Sequence, residues 1–341
     1  MSSNTKTYDY SVSCIRVIAM LFIIICHLSN YFGQNIVAQF FNVGVHIFFL
    51  ISGYLYGGKI IGNTGVWLFK RYLRLIIPSM LWLVVTLIGR AAHQQPMPQI
   101  HEVVFLGLNL QGLNFIFSAM DDLFIGPWFF TNIMGCYILF AFYRKITYRH
   151  PNAAKILQTR GGVIPLGAFL ILAFLRVSTD GALAFFIGLT LRERSLLEKK
   201  EQKQIISATI TFILSLGIRL LGKRFTDGTV LYDEIISPLT HVGIACSFLV
   251  ATKWLFNLFP KQCERIAQNA VIRHFDRISI YVYVFHSMFF NGTIVDLFKL
   301  NLNVPLEMII YFAAVISFST IMTFIGEYIT NKTESAVLKM F

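Results

Sequence analysis

Long apolar runs, one after another, decide what this chain can become. The stretch from Val12 to Phe32 carries one formally charged residue, Arg16, and comparable runs recur to the end of the sequence. About 20 mostly apolar residues let a helix cross the hydrocarbon core of a bilayer. The first candidate spans are Val12–Phe32, Ile36–Tyr56, Tyr72–Ala92, Pro127–Tyr143 and Val163–Arg176. Five more follow at Gly181–Leu191, Ile205–Leu221, Ile235–Trp254, Ile278–Phe298 and Val304–Tyr328. The expectation is an all-α polytopic membrane protein of about ten transmembrane helices, both termini cytoplasmic, forming a single domain over residues 1–341.

Composition removes the soluble alternatives. Charged residues make up 13% of the chain, about half the roughly 25% of soluble domains. Apolar residues reach 56% and mean hydropathy is +0.65, too much apolar surface for the available polar residues to cover. The net charge of +12 would in a soluble protein raise nucleic acid as a partner. Here its distribution gives a different answer. With the N-terminus inside, 22 of the 29 Lys and Arg residues fall on the inner side and six on the outer. The outer six are Arg90, Arg176, Arg219, Lys223, Arg224 and Lys299. That asymmetry is the positive-inside rule, so the partner is the lipid bilayer and no nucleic acid is expected.

One outer stretch breaks the alternation of span and loop. Residues 93–126 carry no Lys or Arg, and the part from Val103 to Phe117 is apolar but interrupted by Gly107 and Gly112. It reads as an interfacial or re-entrant segment that could roof an outer-face site, or as a packed structural loop. The five cysteines, Cys14, Cys26, Cys136, Cys246 and Cys263, show no C-x2-C spacing, so no metal centre is expected, and none falls in an outer loop, so no disulfide is expected either. A cleavable signal is not expected either, because the first apolar run is too long. No P-loop, GxGxxG, HExxH or G-x-S-x-G motif occurs, and no bound cofactor is expected.

Ionisable residues inside spans are expensive and mark function, so chemistry is sought there. Arg16 and His27 lie in CIRVIAMLFIIICH, eleven residues apart. On a helix that is about three turns plus 20°, which puts both side chains on one face about 16 Å apart. Arg16 could hold a phosphate or carboxylate at the inner end, and His27 could act as a general base deep in the membrane. Alternatively, Arg16 snorkels to the interface and His27 bonds a neighbouring helix. In FKRYLRLIIP, Lys70, Arg71 and Arg74 form a basic cluster. Arg71 and Arg74 share a face suited to gripping a polyphosphate, and all three also fit as ordinary inner-side charges. His286, in ISIYVYVFHSMFF beside Tyr281 and Tyr283, joins His46 and His241 as an intramembrane histidine. Each could serve a site or an interhelical hydrogen bond.

Taken together, these residues resemble the acyltransferase-3 family of integral-membrane O-acyltransferases. Arg16 and His27 match its R-x10-H helix, GVHIFFLISGYLYG from Gly44 is similar to its GVDLFFVLSGFL-type segment, and KRYLRLIIP is similar to its R-x-x-R stretch. PWFFTNIMGCYIL around Trp128 resembles the family's Trp/Phe-rich helix, and DRISIYVYVFHSMF places His286 at a family histidine. Two departures stand out: His46 occupies a position where many members have Asp or Pro, and no Pro follows Glu327 in GEYITNK.

The resemblance implies acyl transfer, usually of acetyl, from acetyl-CoA or another acyl-CoA on the cytoplasmic side. The acceptor would be a hydroxyl of a surface polysaccharide or its lipid-linked oligosaccharide precursor. It implies catalytic roles for His27 and Arg16 and donor binding by Arg71, Arg74 and Lys70, with His286, Trp128, Ser52, Tyr283 and Glu327 as candidate lining residues. Either direct transfer with His27 as base or a transient acyl-histidine is compatible with it. The stand-alone type is expected, in a bacterial plasma (inner) membrane. The rival function is a transporter or flippase for a lipid-linked sugar or small anion, against which the sequence offers no repeats or paired broken helices.

Overall fold

The structure is a computed structural model and describes residues 9–94, 96–110, 128–150, 152, 167, 179–198, 201–289 and 302–338. Those residues are helical with short connections and contain no strand. Six of the helices, counting the broken second one as a unit, are long and apolar enough to cross a membrane. The expected span Val163–Arg176, apart from Gly167, and the outer residues 111–126 lie outside the described residues.

Helix α1 (Tyr10–Tyr31) is the axis of the assembly, buried around most of its circumference. It contacts α2 (Asn35–Phe41) and α3 (Gly44–Tyr56) directly. Sequence reading makes the latter two a single span. The chain breaks at Asn42–Val43 because Gly44 lies against the main chain of α1, where a Cβ would meet the Ala19 carbonyl at 2.6 Å. Helix α4 (Thr64–Ala92) starts eight residues earlier than Tyr72. The reason is local: the Asn63 side chain accepts a hydrogen bond from the Val66 N–H at 3.1 Å and caps the helix. Lys70, Arg71 and Arg74 are therefore fixed on helical turns, and Pro78 has no N–H to give the Arg74 carbonyl below it.

After α5 (Ile100–Gly107), the described part of the outer segment, come α6 (Trp128–Arg149) and α7 (Thr179–Glu193). Among the described residues, helices α3 and α7 form the tightest pair. A Cβ on Gly53 would land on the Phe185 carbonyl, and one on Gly188 would land on that of Leu50. Where lipid tails are as apolar as leucine, such close backbone approach supplies the packing energy.

Helix α8 (Gln202–Thr226) lies at the periphery with most of its surface outward. A π-helical turn, Tyr232–Ile236, leads into α9 (Ser237–Leu258). The short amphipathic α10 (Pro260–Gln268) precedes α11 (Ala270–Phe285), which is capped by Asn269 and ends in a 3-10 turn, His286–Phe289. The expected span Ile278–Phe298 thus begins earlier and changes form at His286. Last comes α12 (Val304–Leu338). Its 35 residues make about 52 Å of helix, against about 30 Å of hydrocarbon. The surplus carries Glu327 and Glu334 to the basic start of α4.

Candidate active site

A cavity of about 660 Å³ opens between α1, α3, α4, α6, α11 and α12. Six of the residues expected to serve the site line it: Arg16, Ser52, Arg71, Arg74, Tyr283 and Glu327. The other four lie around it. Lys70 binds Glu334 on the cavity rim, Trp128 packs part-buried on the core, and His27 and His286 sit beyond Tyr283.

The charges at the mouth are mostly spoken for. Arg16 Nη1 meets Asp276 Oδ1 at 2.8 Å, and Arg277 grips Glu327 with a guanidinium fork. Arg71 and Arg74 have no carboxylate partner among the described residues. The Arg71 guanidinium lies over the rings of Tyr56 and Trp67, at 5.4 and 5.7 Å, and its buried Nε has no hydrogen-bond partner. Arg74 is exposed. Two adjacent guanidiniums with donors unused are equipped for a phosphate, whose oxygens they can take two at a time.

Deeper in, the walls turn aromatic. Tyr137 of α6 shares hydrogen bonds with Ser52 and Tyr56 of α3. Tyr283 packs on Phe129 at 5.0 Å and on His286 at 5.8 Å. His286 in turn lies 4.6 Å from His27, ring centre to ring centre, tilted by 58°. His286 Nδ1 is 3.2 Å from the Val282 carbonyl. A carbonyl only accepts, so Nδ1 carries the proton and, in the neutral ring, Nε2 keeps its lone pair.

Two contacts therefore set the register of α1 against α11. Arg16 meets Asp276 at one end, and eleven and ten residues further on His27 meets His286. The helices run parallel, and the line from Arg16 to His27 is about 16 Å long. His27 itself is exposed.

Sequence reasoning did not single out Asp276, Tyr56, Tyr137 or Glu334. Asp276 stands in the quoted DRISIYVYVFH segment, but nothing in a single sequence says which cation it faces. Arg219, expected among outer helix ends, is instead turned into the protein and 6% exposed.

Among known proteins, a family model described as an acyltransferase domain matches residues 9–324. No curated protein and no solved structure matches.

Proposed function

The chain belongs to the acyltransferase-3 family, and from that premise we propose that it moves an acetyl or other acyl group from acyl-CoA to a hydroxyl of a cell-surface polysaccharide or its lipid-linked precursor. One observation carries this reading: a cavity lined by Arg71 and Arg74, neither with a carboxylate partner among the described residues, lies along α1 from an exposed histidine, His27. The family supports a membrane acyltransferase; the donor and the acceptor are our inference.

The donor's phosphates lie at Arg71 and Arg74, with Lys70 and Arg16 at the rim of the same field. The thin pantetheine arm follows the wall of Ser52, Tyr137 and Tyr283 inward, which brings the thioester towards His27. The acceptor hydroxyl attacks the thioester carbonyl while His27 takes its proton. The C–S bond breaks, the acyl group stays on the acceptor oxygen, and the departing CoA thiolate recovers the proton from His27. His286, held by its Nδ1 bond to the Val282 carbonyl, packs on His27 and orients that ring. Direct attack is preferred over an acyl-histidine because it needs one step fewer.

The test compares O-acetyl content of the host's surface polysaccharide by proton NMR in wild type, a deletion strain, and the deletion carrying wild-type or His27→Ala protein. Acetylation should vanish on deletion and return with the wild-type copy alone. Unchanged acetylation, with polysaccharide missing or trapped inside, would instead favour a flippase.

A further inference from the structure

Helix α8 turns almost all of itself outward: Ile210, Ile213, Leu214, Ile218, Leu220 and Leu221 are exposed. Its buried residues form one line, Ala208, Ser215 and Arg219, spaced seven and four so that they share a face. The last is a guanidinium where the pattern calls for a small residue. It does not snorkel, because only 6% of Arg219 is exposed.

Arg219 hydrogen-bonds the hydroxyl of Tyr232, which the π-helical turn presents from the next segment. Nη1 is buried and has no hydrogen-bond partner. Among the residues whose side chains are described, no carboxylate pairs with it. A buried guanidinium with an unused donor is among the costliest features a membrane protein can keep. A residue of that kind is retained for an anion that arrives from outside.

Its location says which anion. Arg219 lies within electrostatic range of Cys26, the residue before His27. The guanidinium thus lies near the residue that precedes the proposed base. We propose that Arg219 and Tyr232 bind an oxyanion of the acceptor, a phosphate or carboxylate, so that the acceptor class is an acidic glycan or one linked to a lipid phosphate. Anchoring that group fixes which hydroxyl reaches His27. This rests on the acyl-transfer reading.

The experiment uses the full-length protein in lipid nanodiscs with acetyl-CoA. Three acceptors of equal sugar length are compared: a neutral oligosaccharide, the same with one uronic carboxylate, and the neutral one linked through phosphate to an isoprenoid. Wild type should favour at least one of the two anionic acceptors by about tenfold or more in KM. The two arms identify whether the anion belongs to the sugar or the lipid. R219Q should raise KM for the favoured acceptor to that of the neutral one, R219K should keep part of the preference, and thermal stabilisation by acetyl-CoA should be unchanged in both. Equal KM values in wild type, or a preference that survives R219Q, overturns the proposal while leaving acyl transfer standing. Absence of any acetyl-CoA response or transfer in wild type removes the acyl-transfer reading and the proposal with it. Should R219Q fail to fold, wild type decides: stabilisation by the isoprenoid phosphate or the uronate above that by their uncharged counterparts supports the site, and equal stabilisation overturns it.

Discussion

Replacing Asp276 by Asn should pull stability and donor affinity in opposite directions. The carboxylate pairs with Arg16 at 2.8 Å, with side-chain exposures of 31% for Arg16 and 11% for Asp276. The pair is thus neither a surface ion pair, worth about 0–1 kcal/mol, nor a dry one whose breaking costs about 3–5 kcal/mol. An intermediate loss of about 1–2 kcal/mol is expected on those bounds. The cavity lining holds four guanidiniums, Arg16, Arg71, Arg74 and Arg277, against three carboxylates, Asp276, Glu327 and Glu334. Its net charge is +1, and D276N raises it to +2. For a donor phosphate about 8 Å away at an effective dielectric of about 40, one unit charge contributes about 1 kcal/mol, or about fivefold in Kd. The assay is thermal unfolding in nanodiscs, without ligand and across an acetyl-CoA titration, at two ionic strengths. The apo Tm should fall while the acetyl-CoA Kd tightens, and the gain should shrink at high salt. Weaker acetyl-CoA binding by a folded D276N protein would refute the reasoning, because Asp276 would then be helping to hold the donor rather than competing with it.

Three further outcomes are expected. His286→Phe keeps a ring against His27 and Tyr283 but loses the Nδ1 hydrogen bond to the Val282 carbonyl that holds it, so kcat for acyl transfer should drop by about tenfold or more. His286→Gln, which can donate a hydrogen bond, should recover part of it, and neither variant should alter the acetyl-CoA thermal shift. Gly188→Val drives a branched side chain into the Leu50 carbonyl; overpacking of this kind costs about 1–3 kcal/mol or more, read as a lowered Tm or lost folded yield. The third concerns pH. Burial alone would raise the Asp9 carboxyl, but the Lys253 ammonium at 2.8 Å holds it below the ordinary 3.8. The stability it contributes is therefore fully present above about pH 3.8 and lost as pH falls through the lower native value. Tm measured against pH should lose part of its acid limb in Asp9→Asn.

What a single sequence discloses here is set by the range of the interaction. The apolar runs predict helices because the bilayer's demand for internal hydrogen bonding acts on each segment alone. The shared face of Arg16 and His27 follows from helical spacing, and α1 is continuous over both. Hydropathy points to Tyr72 as the start of the third span, whereas the Asn63 cap sets the start of α4 at Thr64. The break before Gly44 depends on what α1 places opposite it, which no property of residues 35–56 encodes. The same holds for the site. Periodicity tells which face Arg16 and His27 occupy but not that α11 lies beside it, so Asp276 and the His27–His286 contact become visible in three dimensions alone. Arg219 shows the limit from the other side: its position near a helix end suggested an interface, and its inward turn is fixed by the line it shares with Ala208 and Ser215.

The crossing of α3 and α7 carries a consequence for how this sequence can evolve. At Gly53 and Gly188 the obstacle to a side chain is the main chain of the opposite helix, at Phe185 and Leu50. Side chains can be traded across an interface, one shrinking as its neighbour grows; a carbonyl cannot shrink. No second-site substitution at Phe185 or Leu50 makes room for even an alanine, so damage at either glycine is open to reversion but closed to local suppression. In a library of random variants, these two codons should be among those that never find a compensating partner in the facing helix.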